Sequence, residues 1–156
     1  MNTENSNTKT IIKCHEVQIH YKRPFFNIIK KVSSSEDSEK LLRSFIDIER
    51  IDYKEFFWVL LLTNANQVIG VSEIAVGNTS GVMVNIKEIY QLALLANASA
   101  IIVAHNHPSG KLTPSEADKR LTQKLSNASK LLDITLLDHL ILTSEGFVSF
   151  SDSNWM

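Results

Sequence analysis

Cysteine is almost absent: Cys14 stands alone among 156 residues. That excludes an intrachain disulfide and any metal site built on several cysteines. No apolar run approaches the roughly 20 residues that cross a bilayer. The polar stretch Asn2 to Thr10 holds no apolar signal-peptide region. A cytoplasmic protein without membrane contact is therefore expected. Neither sign of charge dominates, with 16 Lys and Arg against 17 Asp and Glu and a formal net charge of −1. Such a balance gives no global field toward nucleic acid, although a local basic patch is compatible with it. No internal repeat is present. The apolar and charged fractions, 44% and 21%, are ordinary for a globular chain of one domain with its own core.

Residues 1–10 are rich in Asn, Thr and Ser and are expected to be disordered. Partial alternation at Val17, Ile19 and Tyr21 predicts a short edge strand over 11–21. Lys22, Arg23, Lys30 and Lys31 follow; a solvated edge is a simpler reading of them than a phosphate or acidic-partner contact. Ser33, Ser34, Ser35, Glu36 and Asp37 read as a helix start. Leu41, Leu42, Phe45, Ile46 and Ile48 carry that helix to about Arg50.

The run Phe56 to Leu62 predicts a central strand covered on both faces. Asn64 to Asn66 turns the chain into a hairpin partner over Gln67 to Val76. Val82 to Val84 reads as a third, short strand. Asn85, with Glu88 three residues on, caps a helix ending at Asn97. Ala100 to His105 predicts a buried strand. Thr113 as cap, Pro114 at the first helical position and Glu116 open a helix continued by Leu121, Leu125, Ala128 and Leu132. Two strands, Thr135 to Thr143 and Phe147 to Phe150, close the chain. Interleaved helices with hairpin-joined strands predict an α/β fold: a mixed β-sheet sandwiched by helices.

Chemistry concentrates after the Ala100–Ala104 strand, in His105-Asn106-His107-Pro108-Ser109-Gly110 and on to Asp118. Residues two apart on a strand share a face, so both imidazoles point the same way. Two nitrogens and a carboxylate are the ligand set of a catalytic zinc site with its fourth position left for water. Ser115 lies three residues before Asp118 on the same helix face and could donate to an oxyanion. A carboxylate beside the water is needed as base; Glu55, Glu73, Glu88, Glu116 and Asp138 are all candidates. His139 in the apolar strand is equally a hydrogen-bonded core residue or a support to the ligands. His15 and His20 have no evident role.

The pattern His105-x-His107-x7-Ser115-x2-Asp118 resembles the metal motif of the JAB/MPN (JAMM) metallohydrolases. The fuller string, with Asp138-His139 and the closing Phe147 to Phe150, resembles the RadC-like branch over about Val32 to Trp155. The resemblance divides the chain into an N-terminal extension, 1–31, and a RadC-like JAB/MPN domain, 32–156. It implies a JAMM metalloprotease-like α/β sandwich holding one zinc ion per chain on His105, His107 and Asp118. It also implies an oxyanion serine, Ser115, and a glutamate base near the start of the first core strand. Glu55 stands directly before that strand and is preferred to Glu73.

The implied function is zinc-dependent hydrolysis of an amide, peptide or isopeptide, in a peptide or protein substrate. Family members often carry an N-terminal helix-hairpin-helix DNA-binding segment; the residues preceding the metal domain here are too few for one. The family's DNA-repair label thus gains little, and DNA contact is not supported by net charge. Two alternatives are a DNA-associated nuclease and a zinc-stabilised binding module without catalysis. A zinc nucleobase deaminase is excluded, because it needs a cysteine pair.

Overall fold

Seven consecutive apolar residues, Phe56–Leu62, form strand β1, and all seven are buried. A strand with no polar face must be covered on both sides. The structure, a computed structural model, describes residues 18–22, 30–77 and 83–156. Among them β1 is joined by β2 (Val68–Val76), β3 (Ala100–Asn106), β4 (Thr135–Leu142) and β5 (Phe147–Ser149) in one mixed sheet of order β2-β1-β3-β4-β5. Only β3 and β4 run parallel. The other neighbouring pairs are antiparallel.

Side-chain alternation divides the core into two layers. On one face Phe56, Trp58, Leu60, Ile102, Ala104, Leu140 and Leu142 pack with Leu42 of α1 (Ser35–Phe45). On the other, Phe57, Val59, Ile101 and Val103 meet Ile89, Tyr90 and Ala93 of α2 (Ile86–Leu95) and Leu125 of α3 (Glu116–Leu132). The result is the α/β sandwich expected, with α1 on one side and α2 and α3 on the other. The Tyr90 hydroxyl donates to the Leu125 carbonyl at 2.7 Å and lies as close to the Ser129 hydroxyl, which ties α2 to α3.

Three local expectations are corrected. The first helix stops at Phe45 rather than running to Arg50: Ile46 is extended, and the Asp47 side chain accepts from Glu49 N to open a separate 3-10 turn, Ile48–Arg50. An aspartate that bonds its own local backbone competes with helix continuation. Met83 and Val84 belong to no strand; Val82 lies outside the described residues. The α3 cap is Ser115, not Thr113. Ser115 Oγ accepts from Asp118 N and the Asp118 carboxylate accepts from Ser115 N, a reciprocal capping box. The edge strand expected over 11–21 falls mostly outside the described residues; 18–22 have no regular structure. No described helix is long and apolar enough to cross a membrane.

Candidate metal centre

The ligand candidates converge at the C-terminal end of β3, on the face covered by α2 and α3. His105 follows Val103 by two residues and keeps its face. His107 lies just past the strand, held by its N–H to the Leu142 carbonyl at 2.9 Å. Gly110, at φ +77°, closes the following turn with its N–H on the His107 carbonyl. The turn leads back to α3, whose first turn carries Asp118. His105 Nε2 lies 3.0 Å from His107 Nε2 and 3.3 Å from Asp118 Oδ1, and His107 Nε2 is 3.5 Å from Asp118 Oδ2. His105, His107 and Asp118 thus form a cluster able to hold a metal ion.

The donor set fits a zinc ion. Bonds of 2.0–2.1 Å in a tetrahedron set ligand atoms about 3.3 Å apart, close to the spacings found. His107 Nδ1 lies 2.6 Å from the Lys111 carbonyl oxygen, which only accepts, so this nitrogen carries a proton and Nε2 is free to ligate. On Asp118, Oδ2 accepts from Ser115 N at 2.6 Å and Ser115 Oγ at 2.7 Å and also lies toward His107, while Oδ1 faces His105.

Electrostatics follow from this crowding. Burial pushes the Asp118 carboxyl up, but hydrogen bonding to His105 and His107 outweighs it and holds the group well below the usual carboxylate range. The Asp118 carboxylate in turn raises the His107 pKa, against burial, which lowers it.

Sheet register sorts the candidate bases. Phe57 pairs with His105 across the antiparallel β1–β3 ladder; continuing that register sets Glu55 opposite His107, on the ligand face. Burial raises the Glu55 pKa, while the charges of His105 and His107 lower it. Glu73 is exposed and accepts from Trp58 Nε1 at 3.3 Å, on the opposite face. Asp138, also raised by burial, accepts from Ser149 Oγ, Ser151 N and His139 N, away from the cluster. Glu88 is exposed in the first turn of α2, and Glu116 is exposed and paired with Lys119. The charges of all three cluster residues act on Glu55.

Two further residues matter that their own sequence context did not single out. Asn106, between the two histidines, turns to the opposite face and is fully buried. Its side chain accepts from Phe56 N at 2.6 Å and donates to the carbonyls of Ile51 at 2.5 Å and Lys54 at 2.7 Å. It therefore clamps the segment that carries Glu55 onto the strand that carries His105. Asn106→Ala leaves one N–H and two carbonyls without partners in a dry site, and should lower stability by about 2–4 kcal/mol. The midpoint of urea unfolding measures this; an unchanged midpoint would contradict the clamp. Thr122, four residues after Asp118 on α3, bonds His139, which packs against His105. The i, i+4 spacing from Asp118 was its one sequence signal.

Comparison with known proteins agrees with the geometry. The profile of the RadC-like JAB domain matches residues 32–155. A UPF0758 protein of Flavobacterium johnsoniae is 40% identical over 124 residues, covering 80% of this chain and 53% of that protein. Another, of Chlorobium phaeovibrioides, is 34% identical over 137 residues, covering 88% and 59%. A third, of Xylella fastidiosa, is 38% identical over 128 residues, covering 82% and 57%. The chain thus spans somewhat more than half the length of these relatives. With a match across most of its length, the chain belongs to the RadC-like JAB domain family.

Proposed function

We propose that this chain is a zinc-dependent hydrolase that cuts an amide bond, peptide or isopeptide, in a peptide or protein substrate. The observation that carries the reading is the meeting of two imidazole nitrogens and an aspartate oxygen; the β1–β3 register, continued by two residues, sets a second carboxylate, Glu55, opposite His107. Two nitrogens and one oxygen suit zinc and leave a position open. Such an ion, when bound, supplies Lewis acidity, lowering the pKa of a water molecule to about 7 and polarising a carbonyl oxygen.

Glu55 takes the proton of the attacking water and hands it to the leaving amine. In the metal-free protein burial raises its pKa, in the direction that makes a better proton acceptor. Ser115 now donates its hydroxyl proton to Asp118; turning that hydroxyl toward the carbonyl makes it a donor to the developing oxyanion. Asp118, held by Ser115 N and Oγ, keeps its other oxygen toward His105. Membership of a family whose domain is often hydrolytic supports the reading.

The test is cleavage of a panel of peptides and isopeptide-linked conjugates by the zinc-loaded protein, before and after chelation and on adding zinc back. Cleavage lost with the metal and recovered with it is expected. Metal-dependent cleavage of a phosphodiester and of no amide would replace this reading with a nuclease. Metal bound with no cleavage of either would leave a binding module.

A further inference from the structure

His105, His139 and Thr122 form a chain of side chains that leads from the ligand cluster into the core. His105 Nδ1 lies 2.8 Å from His139 Nε2. His139 Nδ1 lies 2.7 Å from the Thr122 hydroxyl oxygen, and that hydroxyl donates to the Asp118 main-chain carbonyl at 2.8 Å. The three are 1%, 0% and 3% exposed, so solvent does not exchange partners with them. The Phe150 ring stacks on His139 with centroids 4.6 Å apart, and Phe57 lies parallel to His105 at 6.2 Å. These walls oppose a ring flip.

The proton positions follow from the far end of the chain. A carbonyl oxygen only accepts, so the single Thr122 proton goes to Asp118. The Thr122 oxygen must then accept from His139, which carries its proton on Nδ1. A neutral imidazole has one N–H. His139 Nε2 is therefore a lone pair, and it accepts from His105 Nδ1–H. His105 Nε2 is left without a proton, aimed at the point it shares with His107 Nε2 and Asp118 Oδ1. His107 reaches the same state through the Lys111 carbonyl alone.

We propose that Thr122 and His139 are positioning residues for the metal centre. Through the fixed order of donors from His105 Nδ1 to the Asp118 carbonyl, they hold His105 in the tautomer whose Nε2 ligates. The chain ends on the residue that also supplies the carboxylate ligand, so one turn of α3 orients two of the three ligands. Without the Thr122 hydroxyl, a His139 Nδ1–H faces a methyl group. The tautomer that relieves this puts a proton on His139 Nε2. That proton confronts His105 Nδ1 and drives the His105 proton onto the ligating nitrogen. The proposal rests on the reading of His105 as a metal ligand.

Zinc affinity by competition with a chromophoric chelator, at a temperature where every variant is folded, tests it. Thr122→Val keeps the shape and removes the hydroxyl; it should bind zinc about 10–100-fold more weakly than the unaltered protein. Thr122→Ser should recover most of that loss. A Thr122→Val protein with unchanged affinity overturns the proposal, even if its melting temperature falls, because a merely structural threonine predicts that result. The second measurement needs no variant. Long-range 1H–15N spectra of the zinc-loaded protein should find the His139 proton on Nδ1; a proton on Nε2 overturns the proposal. Asp118→Ala, run alongside, separates the two levels. If the unaltered protein binds zinc no better than Asp118→Ala, the ligand set itself is wrong, and the proposal falls with it.

Discussion

Glu55→Gln should retain one metal per chain and lose about 10²–10⁴ in turnover on any amide the protein cleaves. Glutamine keeps the size of the side chain and much of its hydrogen bonding, but it cannot accept and return a proton. Glu55 is not one of the cluster residues, so metal content is the internal control. The pH profile adds a sign. A base works ionised, so kcat/KM should fall as pH drops through the Glu55 pKa. In the metal-free protein burial raises that pKa, and a cation on the cluster would lower it. The same limb should be missing from the residual activity of the glutamine variant.

Stability should move in the opposite sense. A carboxyl whose pKa is raised in the folded state favours folding below its unfolded pKa, and that contribution is lost as pH rises through the folded value. At neutral pH the ionised Glu55 of the metal-free protein is therefore a burden on the fold. Glu55→Gln should melt at the same or a higher temperature than the unaltered protein. Turnover equal to that of the unaltered protein would remove Glu55 from the mechanism; a lower melting temperature would indicate a loss of fold instead.

Asp118→Ala is expected to reduce bound zinc from one per chain to a level set by two imidazoles alone. That is a larger loss than the about 10–100-fold typical of residues supporting a ligand from behind. The substitution also deletes half of the α3 capping box, worth about 1 kcal/mol. Melting and metal content should therefore both fall, and added zinc should stabilise the unaltered protein only.

Protons compete with the metal for the same nitrogens. Because Asp118 raises the His107 pKa, zinc affinity of the unaltered protein should drop about tenfold per unit once pH falls below that raised value. In Asp118→Ala the largest cause of the rise is gone, so whatever weak binding remains should begin to fall at a lower pH. Competition titrations across the range from mildly acid to mildly alkaline measure both. Equal zinc in the two proteins would refute Asp118 as a ligand.

Local rules reached far into this fold. The unbroken run Phe56–Leu62 made a strand covered twice, and period-two alternation aligned His105 with Val103 on the helix-covered face. Where two local rules competed, sequence could not choose. Thr113 with Glu116 and Ser115 with Asp118 are both capping pairs; the second forms because Asp118 is drawn toward His105 and His107, while Glu116 stays in solvent with Lys119. The early end of α1 has a similar origin, since Ile51 must turn back into the core under the Asn106 clamp.

The residues of the ligand cluster are close in the chain: a strand end, a tight turn and a helix start bring His105, His107 and Asp118 together with little help from elsewhere. That is why the grouping of these three residues, like the α/β class, was legible in the order of the chain alone. The face that Glu73 takes was decided by tertiary structure, because β2 carries a register shift between the partners of Phe57 and Trp58. Such an extra residue changes which face a side chain takes without altering the composition of the strand. The contacts of Asn106 with Ile51 and Lys54, and of His139 with His105 and Thr122, likewise join segments far apart in the chain. Partners at that distance are chosen by how the layers pack, and only the assembled sheet and helices bring them within hydrogen-bond reach.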